Sequence, residues 1–506
     1  MKEHLIPAFG ENCFEDQISK TARVFVLPHQ KKEAFDAYCA LLEEDGYVKK
    51  EENCGSLYRY AAYEKDSCAF FLNFFSAIGE LTVVQEENSP YFSYKDISGN
   101  ICAQPQITQL ELTDFGLSYV IRLSDGRLMV IDGGREFPEE AENLLKTLHS
   151  ESPLEKPVIA AWILTHPHKD HFHCFHVFMK RFGDQVKLEK VFLNFPDAHD
   201  FDHFPKLAPS SPEAEAGSPL VNIPLMWAEI EKSGAAVYTP HTGQSYQVGD
   251  ARIRFLYTMD EILHRSHNIN HASLVFRMEL GGQVILWTGD VASSVSRLSE
   301  KYGNDLKADI LQVPHHGFRS GTDEGEILLY DHVLPQVCLL PAADQQAYVS
   351  FCPYRKATKY LMTHPDVKEV ITGTPQRTIP LPYTPPEGKK AEIELNLKNG
   401  KKNVGAQTFF FCDLSTSCPE DLVFTLLNTT YVAATVRIDL YFDSIQKRMH
   451  CHTTTGRISF VSLSLEQSFR ESKGKDLPEN EAFSVRFTSD IPIVVSHKTK
   501  NPVFYS

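Results

Sequence analysis

The stretch WILTHPHKDHFHCFH, Trp162–His176, stops an apolar run abruptly at a cluster of imidazoles. From His166 to His176, 5 of 11 residues are His, with Asp170 among them. Apolar residues followed at once by a turn and polar side chains read as a buried strand that ends where a helix begins. His and Asp are good ligands for zinc or manganese when several converge. Taken alone, the stretch also reads as a histidine-rich helix start without chemistry, since a single His is most often a packed or surface residue.

Three distant segments repeat the pattern. RLMVIDGG (Arg127–Gly134), VILWTGD (Val284–Asp290) and ADILQVPHHG (Ala308–Gly317) each end an apolar strand in Asp or His, with Gly alongside. Glycine lets the backbone turn tightly there. Each Asp or His by itself is an ordinary strand-end cap. Four strands ending this way point to one shared site.

These residues carry a resemblance to the metallo-β-lactamase-fold hydrolases. The matching positions are Asp132, the His-x-His-x-Asp-His set at His166, His168, Asp170 and His171, then Asp290 and His315. LTDFGLSYVIRLSDGRLMVIDGG, NHASLVFRMELGGQVILWTGD and DILQVPHHGFRSG are similar to the competence-protein, DNA-uptake branch, over about residues 106–375. The resemblance implies two sheets packed face to face with helices outside, an αβ/βα sandwich. It implies two divalent metals, zinc first and manganese second. His166 and His168 would hold the first metal, Asp170 and His171 the second, with Asp290 bridging and His315 completing the second site. His316 is the register alternative to His315, or a proton donor beside the site. Asp132 would orient the cluster without touching metal. The family also places a further His on the first metal. His271, in NINHASLV, is the candidate here, with His264 and His267 nearby. His173 and His176 read as members of the following helix.

Two metals about 3.5–4 Å apart can share a hydroxide at neutral pH and stabilise attacking and leaving oxygens. Asp170 would help orient that hydroxide, and His316, Arg319 and Ser320 would donate to a phosphate or carboxylate. The expected activity is metal-dependent hydrolysis of a phosphodiester or related ester. The alternative is a metal-binding sensor or scaffold that acts through its C-terminal region without turnover, favoured by the incomplete first His set. Redox use of an iron pair would need a flavin-type partner, and no cofactor-binding glycine motif is visible.

Composition bounds the rest. At 506 residues the chain is too long for one core. Residues 1–105 read as a small α+β domain, 106–385 as the hydrolase domain and 386–506 as a β-sandwich. ARVFVL (Ala22–Leu27), LYRYAAYE and AIGELTVVQE read as strands, and KKEAFDAYCALLEEDGY (Lys31–Tyr47) as a helix. PQRTIPLPYTPPEGKK (Pro375–Lys390) reads as a proline-rich linker. Seven strands are expected beyond it: AEIELNL, QTFFFCDL, DLVFTLLNTT, AATVRIDLYF, ISFVSLSLE, AFSVRFTS and IPIVVSHK. The LLNT…ATVRIDLYF and SDIPIVV stretches resemble the sensory-rhodopsin-transducer β-sandwich, which implies a ligand or subunit contact. Asn428, Asp490 and His497 lie near strand ends there and read first as turn and cap residues.

The 11 cysteines are scattered and form no Cys-x-x-Cys pair, so neither a disulfide framework nor a cysteine zinc knuckle is expected. The N-terminus lacks the apolar core of a signal peptide and no apolar run spans a bilayer, so a cytoplasmic, membrane-free protein is expected. A net charge of −16 disfavours nucleic acid as the partner. A small-molecule or phosphodiester substrate, and self-association, complete the expectations.

Overall fold

The computed structural model describes residues 13–97, 99, 101–113, 116–195, 219–261, 269–291, 295–318, 321–342, 356–387, 406–418, 422–428, 434–442, 445, 447–455, 459–474 and 476–497. The chain divides into two compact units, Met1–Ala343 with Arg355–Ala391, and Asp344–Tyr354 with Glu392–Ser506.

Three sheets of the first unit lie among the described residues. The first runs in the order Phe14–Gln17, Ala22–Leu27, Glu80–Glu87, Cys68–Phe75, Tyr58–Lys65, Val48–Cys54, antiparallel throughout. Its alternating side chains sort to two faces. Phe25, Ala61, Phe70, Leu72 and Val83 pack with Phe35, Tyr38 and Leu42 of the helix Lys32–Glu44. Val24, Tyr60, Phe71 and Val84 enter a core shared with the other two sheets. The expected boundary near residue 105 therefore separates sheets but not cores. Polar contacts cross it as well: Asn73 Nδ2 donates to the Thr242 carbonyl at 2.8 Å, and Ser56 N donates to Asp305 Oδ2 at 2.7 Å.

The second sheet holds the strands Leu128–Asp132, Val158–Ile163, Lys190–Phe192 and Ala236–Tyr238 in parallel. Ser118–Arg122 and Gln106–Gln109 extend it antiparallel. The third sheet holds Gln283–Trp287, Ile310–Gln312, Val337–Leu340 and Glu369–Thr372 in parallel, with Val275–Leu280 and Ala251–Tyr257 antiparallel beside them. Ile131, Ile163, Phe276, Ile285, Trp287 and Ile310 meet between the two sheets. On the far face of the second sheet, Val130, Trp162 and Leu164 pack with Leu144, Phe172, Phe175 and Met226 of the helices Pro138–Glu151, Lys169–Phe182 and Pro219–Ser233. Burying each such side chain contributes roughly 1.5–3 kcal/mol. The helices Val295–Tyr302, Asp323–Val333 and Lys356–Thr363 bury Leu298, Tyr302, Leu329, Tyr330 and Leu361. The result is the expected αβ/βα sandwich.

The expected linker departs from this plan. Arg377–Pro380, inside it, pairs antiparallel with Gln106–Gln109 as an edge strand of the second sheet. Pro380 ends the strand, at a sheet edge where a missing N–H costs least.

The second unit is β-rich. The strand Ala482–His497 runs through what the sequence reads as two strands. Its first half pairs with Ala434–Phe442 and Ala406–Ser415, and its second half with Val423–Asn428. Lys447–Thr455 pairs with Ala434–Phe442, a strand missed in the sequence because its outward positions are Arg and His. Ser464 caps a helix, Leu465–Lys473, that was also not expected. Phe411, Phe424, Leu426, Ile438, Cys451, Phe487 and Val495 form its core. AEIELNL lies outside the described residues.

Candidate metal centre

The parallel strands of both sheets deliver their polar ends to one place. Leu128–Asp132 is buried along its whole length and ends at Asp132, where φ is +52° and the side chain is fully buried. Its carboxylate accepts from Thr165 N and Thr165 Oγ1, each at 2.7 Å, and lies 2.7 Å from His171 Nδ1. Trp162 Nε1 donates to the Asp132 carbonyl at 2.7 Å. One residue thus holds the loop after the neighbouring strand and the ring of His171.

That loop leads into the helix Lys169–Phe182. His168 stands at its N-cap with extended backbone and makes no side-chain cap hydrogen bond, so its ring is left for other use. Asp170 and His171 lie in the first turn.

From the third sheet, Asp290 follows Gln283–Trp287. Gln312 holds it there. Its Oε1 accepts from Thr288 N at 2.9 Å and Gly289 N at 2.7 Å, and its Nε2 donates to the Val313 carbonyl at 2.7 Å. Ser273 Oγ accepts from Asp290 N at 3.1 Å. At Gly289, φ is +52°, and an added Cβ would stand 3.2 Å from both Ser273 and Thr165, so the turn needs glycine.

Two groups of donor atoms result. Asp170, His171, Asp290 and His316 form one, and His166, His168 and Asp290 the other, with donor atoms in each within 4.8 Å of one another. Asp290 belongs to both. His171 Nε2 lies 3.1 Å and His316 Nε2 3.3 Å from Asp290 Oδ2. His316 Nε2 is also 3.3 Å from Asp170 Oδ2.

The tautomers decide what fits. The carboxylate of Asp132 and the carbonyl of Pro341, 3.1 Å from His316 Nδ1, can only accept, so both rings carry a proton on Nδ1. In the neutral rings, the Nε2 atoms then face each other as acceptors 3.2 Å apart. His166 Nδ1 faces Thr165 Oγ1 at 3.2 Å, and His166 Nε2 and Asp290 Oδ1 are buried with no hydrogen-bond partner. Acceptors converging without donors are what divalent cations satisfy. Without a cation, protonation of the rings supplies the positive charge instead. Burial lowers the His171 pKa, but Asp290 and Asp132 outweigh it and hold it well above the usual value. Burial opposes protonation of His316 too, yet Asp290 and Asp170 push it up to about 9. At His168 burial outweighs the pull of Asp170 and Asp290 and pushes the pKa down to about 4. The carboxylates call for positive charge in the cluster.

Two sequence expectations change by one residue each. His315 was expected to complete the second group, with His316 as the register alternative, and the group holds His316. Both have left-handed backbones, φ +50° and +53°, which turn His316 inward and leave His315 at the rim, 25% exposed, with Nε2 3.9 Å from Asp290 Oδ2. Such conformations are strained for non-glycine residues and cluster at functional sites. His271 joins neither group. It sits in the turn Ile269–Ala272 with its carbonyl accepting from Tyr257 Oη at 2.8 Å, and the preceding Asn270 reaches the site, its Nδ2 3.3 Å from His315 Nε2. His173 turns to Glu136, with Nδ1 3.0 Å from Oε2. His264, His267, Arg319 and Ser320 lie outside the described residues. Sequence reasoning missed Thr165, Ser273, Asn270 and Gln312. Only Gln312, a lone amide in an otherwise apolar strand, gave a local signal.

Residues 113–324 match the family model of the metallo-beta-lactamase superfamily. The matched segment holds every residue of both donor groups. ComE operon protein 3 of Bacillus subtilis (strain 168) is 30% identical over 95 residues, which cover 19% of this chain and 12% of that protein. Among solved structures, a metallo-beta-lactamase from Cronobacter sakazakii, a HARLDQ motif mutant, is 12% identical over 45% of this chain and 83% of its own, with a TM-score of 0.26. The Anabaena sensory rhodopsin transducer is 17% identical over 19% of this chain and 84% of its own, with a TM-score of 0.17. Superfamily and His/Asp cluster together support a metal-dependent hydrolase in general terms. No helix among the described residues is long and apolar enough to cross a membrane.

Proposed function

We propose that the chain is a metal-dependent hydrolase, with zinc first and manganese second as its cations and a phosphodiester as the first substrate class. The observation that carries this reading is the convergence of His171 and His316 Nε2 on Asp290, beside the partnerless His166 Nε2 and Asp290 Oδ1. His166, His168 and Asp290 would hold one cation, and Asp170, His171, His316 and Asp290 the other. Cations held there would supply Lewis acidity toward a phosphoryl oxygen and a water acidic enough to attack at neutral pH.

The chain's own residues do the rest. Asp290 sets the separation of the two groups. Asp132 keeps the His171 Nε2 lone pair aimed inward. His315, part-exposed at the rim, would protonate a leaving oxygen, a task first expected of His316. The phosphodiester preference rests on resemblance to the competence-type branch.

The test is a chelator-stripped preparation assayed with bis(p-nitrophenyl) phosphate and p-nitrophenyl acetate before and after adding zinc or manganese. Restored diesterase activity that Asp290→Asn abolishes supports the reading. The second reading, a metal-binding sensor or scaffold, draws on the first group having only His166, His168 and Asp290. Stoichiometric metal by elemental analysis, with no turnover on any ester, would favour it.

A further inference from the structure

Among the described residues of this acidic chain, the second unit presents a built cationic face. Strand alternation puts Val436, Ile438, Leu440, Met449, Cys451, Val485 and Phe487 into the core. The opposite face of the same three strands therefore presents Arg437, Asp439 and Tyr441, flanked by His452, His450 and Arg448 on one side and by Thr488, Arg486 and Ser484 on the other.

Asp439 organises this face. Its side chain is 0% exposed and lies beneath three guanidiniums, with Arg486 Nη2 at 2.7 Å, Arg437 Nη2 at 3.0 Å and Arg448 Nη2 at 3.4 Å. The arginine side chains remain 31%, 44% and 53% exposed, respectively for Arg486, Arg437 and Arg448. The Tyr441 ring lies under two of them, 4.9 Å from Arg448 Cζ and 5.8 Å from Arg486 Cζ. One carboxylate cannot neutralise three guanidiniums. It fixes their heads and leaves two positive charges facing solvent, with donors to spare. Holding three arginines side by side in a chain of net charge −16 serves no packing need, because the core lies on the other face.

We propose that this face binds single-stranded nucleic acid. Guanidinium forks match phosphate geometry. The exposed His450 and His452 rings, 6.2 Å apart, offer flat surfaces to unpaired bases on an open sheet. A lipid surface fits less well, since the described outward side chains include no large aliphatic group to insert. This binding stands apart from the hydrolase reading and is read without turnover.

The experiment uses the full chain in chelator, with fluorescence anisotropy of a fluorescein-labelled 20-nucleotide oligo(dT). Binding in the micromolar range at low salt is expected. Three phosphate contacts give a log–log salt slope of about −2, or about a 16-fold loss between 50 and 200 mM salt. The double variant Arg437→Gln/Arg448→Gln, which leaves Asp439 paired with Arg486, is expected to weaken binding at least tenfold with unchanged circular dichroism and Tm. Unchanged affinity in that variant overturns the proposal. So does tighter binding of heparin, of the matching duplex, or of phosphatidylglycerol vesicles than of the single strand.

Discussion

Asp132 and His171 are joined through a single buried contact, Nδ1 to Oδ2 at 2.7 Å, although 39 residues separate them. The same carboxylate takes two more hydrogen bonds from Thr165. Strand end, loop and helix start are thereby fixed relative to one another, and the His171 Nε2 is aimed at Asp290.

Asp132→Asn tests that link. The amide brings a donor among groups that already donate, so His171 loses the partner that sets its tautomer. Metal affinity is expected to fall 10–100-fold, measured by competition with a zinc chelator. Stability is expected to drop by about 1–3 kcal/mol. Unchanged metal affinity would show that Asp132 serves folding alone.

His315 and His316 are distinguished by metal content. His316→Ala removes a donor that faces both Asp170 and Asp290 and is expected to lower bound metal toward one per chain. His315→Ala is expected to keep full metal while cutting kcat by about 10²-fold, the lower end of general acid–base effects. His271→Ala is expected to change neither. Elemental analysis beside steady-state kinetics separates the three, and metal loss on His315→Ala with retention on His316→Ala would reverse the assignment.

Much of this site was legible in the sequence. Strands buried on both faces must be apolar throughout, so the polar residues that end them stand out, as Asp132, His166 and Asp290 do. What escaped was decided by backbone turns without a local mark. The inward turn of His316 needs two successive non-glycine residues at positive φ, which nothing in VPHHG announces. Asn270 reaches the site instead of His271 because of how a short turn is rotated. Gln312 looked like a strand residue, and its value as a brace appears only once Gly289 lies beside it. In the second unit, KRMHCHTTT conceals a strand because alternate positions are charged, the same property that builds the arginine face. The Arg127 cluster, with Asp96 and Asp125 each at 2.7 Å and Glu189 at 2.9 Å, unites segments far apart in the chain and has no local signature.

A pH effect on folding is expected from His241, which lies between the first sheet and the hydrolase sheets. Burial opposes its charge, but Asp260, 2.6 Å from Nδ1, and Glu86, 3.6 Å from Nε2, push its pKa up to about 10. The folded value lies above the unfolded value of about 6.5, so the contribution is full below pH 6.5 and fades as pH rises toward 10. His241→Gln should therefore cost most at pH 6, and its Tm gap from the wild type should narrow steadily to pH 10. Thermal melts of the metal-free proteins at several pH values measure this. A gap that widens with pH would show that His241 is neutral when folded.

Gln312→Leu separates positioning from ligation. The substitution keeps size and burial but leaves Thr288 N and Gly289 N without the acceptor that the Gln312 amide supplies. Each buried group left unpaired costs about 1–3 kcal/mol, so a loss of several kcal/mol is possible only if both stay dry. Water entry would reduce that loss yet still free the Gly289 turn. Because Asp290 follows that turn and serves both donor groups, metal should be held more weakly at both sites together, with titrations shifting in parallel. Loss confined to the His316 group would mean that the turn keeps its shape without Gln312, and that Ser273 Oγ, which accepts from Asp290 N at 3.1 Å, suffices to hold it.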